Sequence, residues 1–507
     1  MSGLVDLGTA LWALMTPMTV FHVAWSMLVG IIVGSLPGLT ATMGVALMTT
    51  LTYSLDSQTA ILVLLCMYVG AIYGGSRSAI LLNIPGTPAS AATSLDGYPL
   101  ARAGKGAYAM GLATAGSMLG TLVAIVMLVM IAPPLAEAAM NFGSFEFFWL
   151  AVFGIVISGQ LTADTTPLKG YIAGILGLMA AMVGSEGIHA HVRFSGGIDE
   201  LNAGIALIPA MVGAFGFAEV LTAMWNRRGE LAAVRNDEDR AIPRLIDLWK
   251  FKFVSIRSGI IGTLVGIIPG VGEDIGAWAS YAVARRTSKE PERYGKGSYE
   301  GLTAAETGNS AVVPGSLIPA ITLAVPGSAS AAVLIAAFFI HGIRPGPLIM
   351  IEQPEFISSV AAILVLATVA MGVYGLSLTR VFIQVLKVPY AYLMPVVFTL
   401  CVIGTYALSQ RMFDVWIMVA FGIVGFVLRQ MKYPMAPLVL GIILGDLLDK
   451  SLRRGLTLSD GELTPFLTRP VSAGFAILIV LSVLLNLTVV RRGLARLFSR
   501  KKAAGDA

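Results

Sequence analysis

The sequence predicts an all-α polytopic membrane protein. It carries about 11 to 13 hydrophobic segments, arranged as two inverted repeats with Pro-Gly broken or re-entrant helices plus a C-terminal transmembrane helix. Three observations predict this. The 507 residues are 56% hydrophobic and 12% charged, with a mean hydropathy of +0.82; a soluble domain carries about twice that charge. Apolar runs of about 20 residues, the length of one bilayer crossing, recur along nearly the whole chain. Two Pro-Gly corners in the first half return in the second.

Taken in order, clear spans are expected near 110–132, 146–162, 170–184, 203–222, 357–378, 389–408, 412–428 and 471–490. The Pro-Gly regions supply further, shorter segments. The start lacks a basic n-region and cleavage site, so the first span is expected to be retained. The whole chain, 1–507, reads as a single membrane transport domain. It divides into repeat 1 over 18–225, a cytoplasmic connection over 226–252, repeat 2 over 253–450, an extra transmembrane helix over 471–490 and a basic cytoplasmic tail over 491–507.

The first half reads Val33-Gly34-Ser35-Leu36-Pro37-Gly38, then Ile80-Leu81-Leu82-Asn83-Ile84-Pro85-Gly86-Thr87. The second reads Val265-Gly266-Ile267-Ile268-Pro269-Gly270, then Ile321-Thr322-Leu323-Ala324-Val325-Pro326-Gly327-Ser328. Pro removes a backbone donor and Gly permits positive φ, so each corner breaks a helix and frees backbone groups. Lipid cannot satisfy those groups, so they belong inside protein or beside water. Paired breaks at matching places in two halves are the signature of a secondary transporter's binding site. A plain kink in packed helices is the alternative reading of any single corner.

Basic residues orient the chain. The formal charge of +5 comes from loops between spans, which excludes a nucleic-acid reading. The connection holds Arg227, Arg228, Arg235, Arg240 and Arg244, and the tail holds Arg491, Arg492, Arg496 and Arg500. Both are placed in the cytoplasm and the N-terminus outside. The repeats then run antiparallel, and 254–285 suits a re-entrant hairpin with Pro269-Gly270 at its tip. Lys450, Arg453 and Arg454 dissent from this arrangement.

Small polar residues crowd the tips. Thr40, Thr42, Asn83, Pro85, Gly86, Thr87, Ser90, Pro326, Gly327, Ser328 and Ser330 form the candidate substrate site, with Pro37, Gly38, Pro269 and Gly270 as structural breaks. A helix starting after Pro-Gly aims free N–H groups at the corner and favours an anion there. The tips are expected to face a cavity. Glu273, Asp274, Glu306, Asn309 and Ser310 are candidates for ion coupling, to Na+ or H+, because hard cations prefer oxygen ligands and buried acids are costly. An interfacial position is the alternative for the acids. No catalytic constellation, cofactor motif or metal set is read; His189 and His191 lack a third ligand, and Cys66 and Cys401 sit in apolar runs.

These residues also carry a resemblance. Asn83-Ile84-Pro85-Gly86-Thr87-Pro88 through Leu95-Asp96-Gly97-Tyr98-Pro99 resembles TctA, the large membrane subunit of bacterial tripartite tricarboxylate transporters. So do Ile268-Pro269-Gly270-Val271-Gly272, Tyr294-Gly295-Lys296-Gly297, and Val325-Pro326-Gly327-Ser328 through Gly342-Ile343-Arg344-Pro345-Gly346-Pro347. One departure stands at Ala305-Glu306-Thr307-Gly308-Asn309-Ser310-Ala311, where Ser310 replaces the family's second Asn. The resemblance implies a permease in the bacterial inner membrane, working with a small membrane subunit of about four helices and a periplasmic solute-binding protein, and importing small organic acids such as tricarboxylates. A stand-alone carboxylate transporter, an intramembrane enzyme and a channel or scaffold are the rival functions.

Overall fold

The structure, a computed structural model, describes residues 2–36, 39–162, 166–226, 250–270, 272–378 and 390–486. Pro37, Gly38, the side chain of Asp274, positions 227–249 of the connection, the end of the 471–490 span and the basic tail lie outside the described residues. The chain is 81% helical, and the described strands, β1 (Gly184–Ser185) and β2 (Val192–Arg193), form one short antiparallel pair.

The helices are α1 (Ser2–Leu14), α2 (Pro17–Ser35), α3 (Ala41–Leu51), α4 (Ser57–Leu82), α5 (Ser90–Leu100), α6 (Gly106–Ala139), α7 (Ser144–Leu161), α8 (Pro167–Ala181), α9 (Leu207–Met211) and α10 (Ala218–Asn226). They continue as α11 (Lys252–Ile267), α12 (Gly272–Thr287), α13 (Tyr299–Leu323), α14 (Ala329–Ile340), α15 (Ile349–Glu352), α16 (Phe356–Ser377), α17 (Tyr390–Ser409), α18 (Met412–Gln430), α19 (Met435–Leu458), α20 (Thr464–Thr468) and α21 (Pro470–Asn486). Among the described residues, seven helical stretches are long and apolar enough to cross a membrane and five shorter ones are apolar, twelve in all. The chain is a multi-pass membrane protein.

Polar caps start several of these helices. Thr40 accepts from the Met43 N–H at 3.2 Å and Asp56 from Thr59 at 3.0 Å. Ser298 accepts from Gly301 at 3.1 Å and Ser328 from Ala331 at 3.0 Å. Each satisfies a donor that the helix cannot, which matters most where no water is at hand.

Two compact units emerge, each drawing on both halves of the chain: Met1–Met140 with Ile205–Met431, and Asn141–Gly204 with Lys432–Ala507. In the first, α2 packs along α4 and α11 along α13. Small residues allow this close approach. A Cβ on Gly30 would lie 3.1 Å from the Gly70 Cα, and one on Gly266 would lie 3.0 Å from the Gly315 Cα. Gly30 with Gly34, and Gly262 with Gly266, are the spacing that lets membrane helices bring backbones together.

Helix α13 is the centre of this unit. It packs against α6, α11 and α12, and every residue from Gly301 to Leu323 is buried. Its polar run therefore contacts protein rather than lipid. Helices α11 and α12 also pack on each other, with Ile268, Pro269 and Gly270 following the end of α11.

The second unit packs α19 against α7 and α8, and α21 against α7. Its polar end is an ion-pair network: Glu186 with His189 at 2.8 Å and Arg453 at 2.9 Å, and Asp449 with Arg193 at 2.9 Å and Arg453 at 3.1 Å. His189 is thus engaged by a carboxylate.

Candidate functional site

The two inner corners are built alike. Helix α4 ends on Asn83 (φ 56°) and α13 on Ala324 (φ 55°), both left-handed. Asn tolerates that region, whereas Ala pays roughly 1–2 kcal/mol. The chain then turns back through equivalent hydrogen bonds. Ile84 N donates to Ser78 O at 3.4 Å and Val325 N to Pro319 O at 3.2 Å; Gly86 N donates to Gly75 O at 3.3 Å and Gly327 N to Ser316 O at 3.4 Å. Ser90 N donates to Thr87 Oγ1 at 3.3 Å, and Ala331 N to Ser328 Oγ at 3.0 Å. One offset, 324 − 83 = 241, relates every pair.

Glycine is required at both tips by close approach. A Cβ on Gly327 would lie 2.7 Å from the Ser316 Cα and nearer still to the Gly266 carbonyl oxygen; one on Gly86 would lie 2.8 Å from the Gly75 Cα and nearer still to the Gly34 oxygen. In each half, therefore, the inner corner presses on the helix that leads to the outer one. In the second half the two corners are also bonded directly. Gly270, at φ 73°, donates its N–H to Pro326 O at 3.2 Å, and Gly272 donates to Gly327 O at 3.1 Å. The carbonyls freed by Pro326 and Gly327 are thereby satisfied.

Two buried polar clusters flank these corners. At the second-half corner, Ser328 Oγ lies 2.8 Å from the Tyr68 hydroxyl, which also reaches Ser316 Oγ at 3.1 Å. Thr42 Oγ1 lies 3.1 Å from Ser330 Oγ, and the Glu273 carboxylate faces Tyr68, Ser328 and Ser330. At the first-half corner, Glu306 of α13 is fully buried. It accepts from Ser76 of α4 at 2.7 Å, from Ser117 of α6 at 3.1 Å, and from Thr93 of α5. Each corner thus meets a group from the other half: Tyr68 from α4 at one, Glu306 from α13 at the other.

The predicted ion-coupling residues of α13 share a face, since Glu306, Asn309 and Ser310 stand at i, i+3 and i+4. Asn309 is fully buried, and its Oδ1 and Nδ2, like the hydroxyls of Thr307 and Ser310, find no hydrogen-bond partner among the described residues. Buried polar atoms of this kind are scarce in proteins and mark places where a bound species or a functional role accounts for them.

Other predicted residues are placed differently. Asn83 and Pro85 are exposed; Asn83 serves as the left-handed helix end. Ser90 Oγ accepts from Thr87 N at 3.1 Å and donates to Thr87 O at 2.7 Å, bracing the turn. Thr40 is a helix cap whose own O–H remains a donor. The expectation that the tips face a cavity does not hold: Thr87 is 6% and Ser328 1% exposed, because the close approach of Gly86 and Gly327 packs the tips against neighbouring helices.

Sequence reasoning missed Arg77. It is fully buried in α4, its guanidinium 4.2 Å from the centre of the Tyr73 ring. Nη1 donates to the Met110 carbonyl at 3.1 Å, and its charge acts on Glu306. Nε and Nη2, the two-donor edge, have no partner among the described residues. The signal was available: a lone arginine inside an apolar run of helix length. Asp96 was missed as well. Its Oδ1 accepts from three backbone N–H groups, Gly295 at 2.8 Å, Gly297 at 2.9 Å and Ser298 at 2.8 Å, which fastens the loop before α13 to α5.

A protein of Agrobacterium vitis, described as a 52.8 kDa protein in the TAR-I ttuC' 3' region, is 35% identical over 468 residues, covering 90% of this chain and 91% of its own. A second, described as lying in the TAR-II ttuC' 3' region of the same organism, is 34% identical over 226 residues, covering 45% of this chain and 93% of its own. No solved structure matches the chain. A family model, "Tripartite tricarboxylate transporter TctA family", matches residues 20–440. Together with the helical, multi-pass architecture, that span settles the class: the chain belongs to the TctA family of tripartite tricarboxylate transporters.

Proposed function

We propose that this chain is the permease subunit of a binding-protein-dependent secondary transporter of the bacterial inner membrane. It would import tricarboxylates or related organic acids, coupled to Na+ or H+, together with a small membrane subunit of about four helices and a periplasmic solute-binding protein. The N-terminus lies outside and the C-terminus in the cytoplasm on this reading. The observation that carries it is the pair of identically bonded Pro-Gly corners, each set against a buried polar cluster supplied in part by the opposite half.

The substrate carboxylates are read by hydroxyls and helix starts at the corners, chiefly Thr42, Thr87, Ser328 and Ser330. The cation is read by the face of Glu306, Asn309 and Ser310, with Glu273 and Asp274 near the other corner. A carboxylate ringed by three hydroxyls suits either a proton or Na+, since both are held by oxygen. Movement of the corners between states would be needed to admit an organic acid, because Thr87 and Ser328 are closed in this conformation.

Uptake of labelled citrate and other organic acids into vesicles, with each component added singly and together, tests the reading. Uptake should require the binding protein and the small subunit, and Glu306→Gln should flatten its dependence on Na+ or pH. Full-rate uptake by this chain alone would favour a stand-alone transporter, and unaltered cation dependence in Glu306→Gln would remove that residue from the coupling site. Reporter fusions at 53–58 and 285–299 test orientation; the same face for both would end the antiparallel arrangement.

A further inference from the structure

We propose that a basic cleft in the first unit binds a phosphate-bearing anion, the headgroup of an anionic phospholipid. The cleft, of about 820 Å³, opens between the end of α5, the start of α11 and the loop that precedes α13. Six basic residues line it, Lys105, Lys250, Arg257, Lys289, Arg293 and Lys296, against two acids, Glu290 and Glu300. Both acids are engaged: Glu290 pairs with Arg293 at 3.0 Å, and Glu300 accepts from Ser288 at 2.6 Å. Among the described residues no carboxylate lies within ion-pair distance of Lys105, Lys250, Lys289 or Lys296. The lining thus holds an uncompensated positive charge.

Arg257 gives that charge a direction. Its Nη1 donates to Thr287 Oγ1 at 2.6 Å, which fixes the guanidinium plane. Nε and Nη2, the edge that grips phosphate or carboxylate with two parallel bonds, are buried and have no partner among the described residues. The opposite wall is held by the Asp96 clamp on Gly295, Gly297 and Ser298, so Lys296 is carried on a fixed loop. A preformed, charge-biased cleft of this kind fits a compact phosphate oxyanion such as the phosphodiester of an anionic headgroup.

The surroundings favour a lipid as its carrier. Phe253 lines the cleft and begins an exposed apolar stripe on α11, Phe253, Ile256, Ile260 and Leu264, spaced at 3 and 4 residues. A headgroup in the cleft would place acyl chains along that stripe, whereas a free phosphate or organic acid uses the cleft alone. Basic pockets beside apolar helix faces are the usual place for acidic headgroups.

Native mass spectrometry of the detergent-purified full chain tests this, titrating phosphatidylglycerol, phosphatidylcholine, inorganic phosphate and citrate separately. Phosphatidylglycerol should be retained in preference to phosphatidylcholine, and Arg257→Gln should weaken its retention by about 10-fold or more, the loss of a charge-assisted pair. Lys289→Ala with Lys296→Ala, both exposed and free of core packing, should weaken it also and covers the case in which Arg257→Gln fails to fold. Equal retention of the two lipids, or retention unchanged in these variants, overturns the proposal. So does binding of inorganic phosphate or citrate to which phosphatidylglycerol adds nothing.

Discussion

Adding one methyl group at either inner corner is the sharpest test of how the site is closed. Gly327→Ala would set a Cβ 2.7 Å from the Ser316 Cα and closer to the Gly266 oxygen, and Gly86→Ala would set one 2.8 Å from the Gly75 Cα and closer to the Gly34 oxygen. Both neighbours are backbone in packed helices, so no side chain can swing aside. Overpacking of this kind costs about 1–3 kcal/mol, or roughly a 5- to 150-fold loss in the folded-to-unfolded ratio. Gly474→Ala is the control, because nothing lies within 4 Å of its Cβ position; in a helix interior Ala is better than Gly by about 0.5–1 kcal/mol. Thermal unfolding in detergent should place both corner variants below the wild type and the control at or above it. Uptake at matched expression should fall in the corner variants alone, since the tip is displaced from α2 or α11. If Gly327→Ala unfolds with the control and transports normally, the corner is not held by this close approach, and the packed-tip description fails.

Four further outcomes follow from the same geometry. Arg77→Ala removes the buried charge that acts on Glu306 and should destabilise the chain, and pairing it with Glu306→Gln should recover part of that loss in a double-mutant cycle on thermal stability. Ser328→Ala leaves the Tyr68 hydroxyl one partner short and should lose about 1–3 kcal/mol, while Ser328→Leu and Thr87→Leu should destabilise as well as block, which matched-expression uptake and unfolding separate. Asp96→Asn weakens a charge-assisted clamp worth about 1.5–3 kcal/mol, read as faster hydrogen exchange at Gly295, Gly297 and Ser298. The Thr59 N–H holds the Asp56 carboxyl below its usual value; a depressed pKa contributes stability above the unfolded value that is lost as pH falls through the folded one, so the penalty of Asp56→Ala in thermal unfolding should shrink on acidification.

The fold class was legible because it rests on composition and run length, which membrane burial constrains directly. The spans expected near 357–378 and 412–428 became α16 (Phe356–Ser377) and α18 (Met412–Gln430). One described break stands where the sequence has its Pro-Gly pair, because Pro and Gly act locally: α11 ends at Ile267, just before Pro269 and Gly270. What could not be read was which polar group meets which. Thr93 and Ser117 are unremarkable hydroxyls in sequence, and only the packing of α5 and α6 around α13 brings them to Glu306. Asp96 and the Gly295–Ser298 loop were both visible as motifs, yet the bond between them spans 199 residues or more. Arg77 was legible in principle, because one arginine in a 26-residue apolar helix is costly enough to need a reason. The outlook for the tips was misjudged for a definite cause: counting Gly as a hinge overlooked its other use, admitting a neighbouring backbone.

The same offset that matches the corners exposes where the halves part. Subtracting 241 from 306 gives 65, and Leu65 stands where Glu306 does in the other half; adding 241 to 68 and 77 gives Asn309 and Ile318 in place of Tyr68 and Arg77. The backbone is therefore repeated while its ionisable groups are not. Repetition of the backbone is what a broken helix needs, because freed carbonyls and N–H groups must be satisfied at every corner whatever the side chains do. Divergence of the side chains is what two unlike ligands need. A doubled site with Glu306 on both sides would bring two like clusters together, whereas the clusters present are unlike: Glu306 among Ser76, Thr93 and Ser117 at one corner, and Glu273 facing Tyr68, Ser328 and Ser330 at the other. On the proposed function the face of Glu306, Asn309 and Ser310 is the chief place of the cation, and the corner hydroxyls of Thr42, Thr87, Ser328 and Ser330 read the carboxylate. Installing the acid at the equivalent position, Leu65→Glu, should then raise the cation requirement of uptake and weaken organic-acid affinity together; a variant that folds and changes neither would show that the difference between the halves is unrelated to transport.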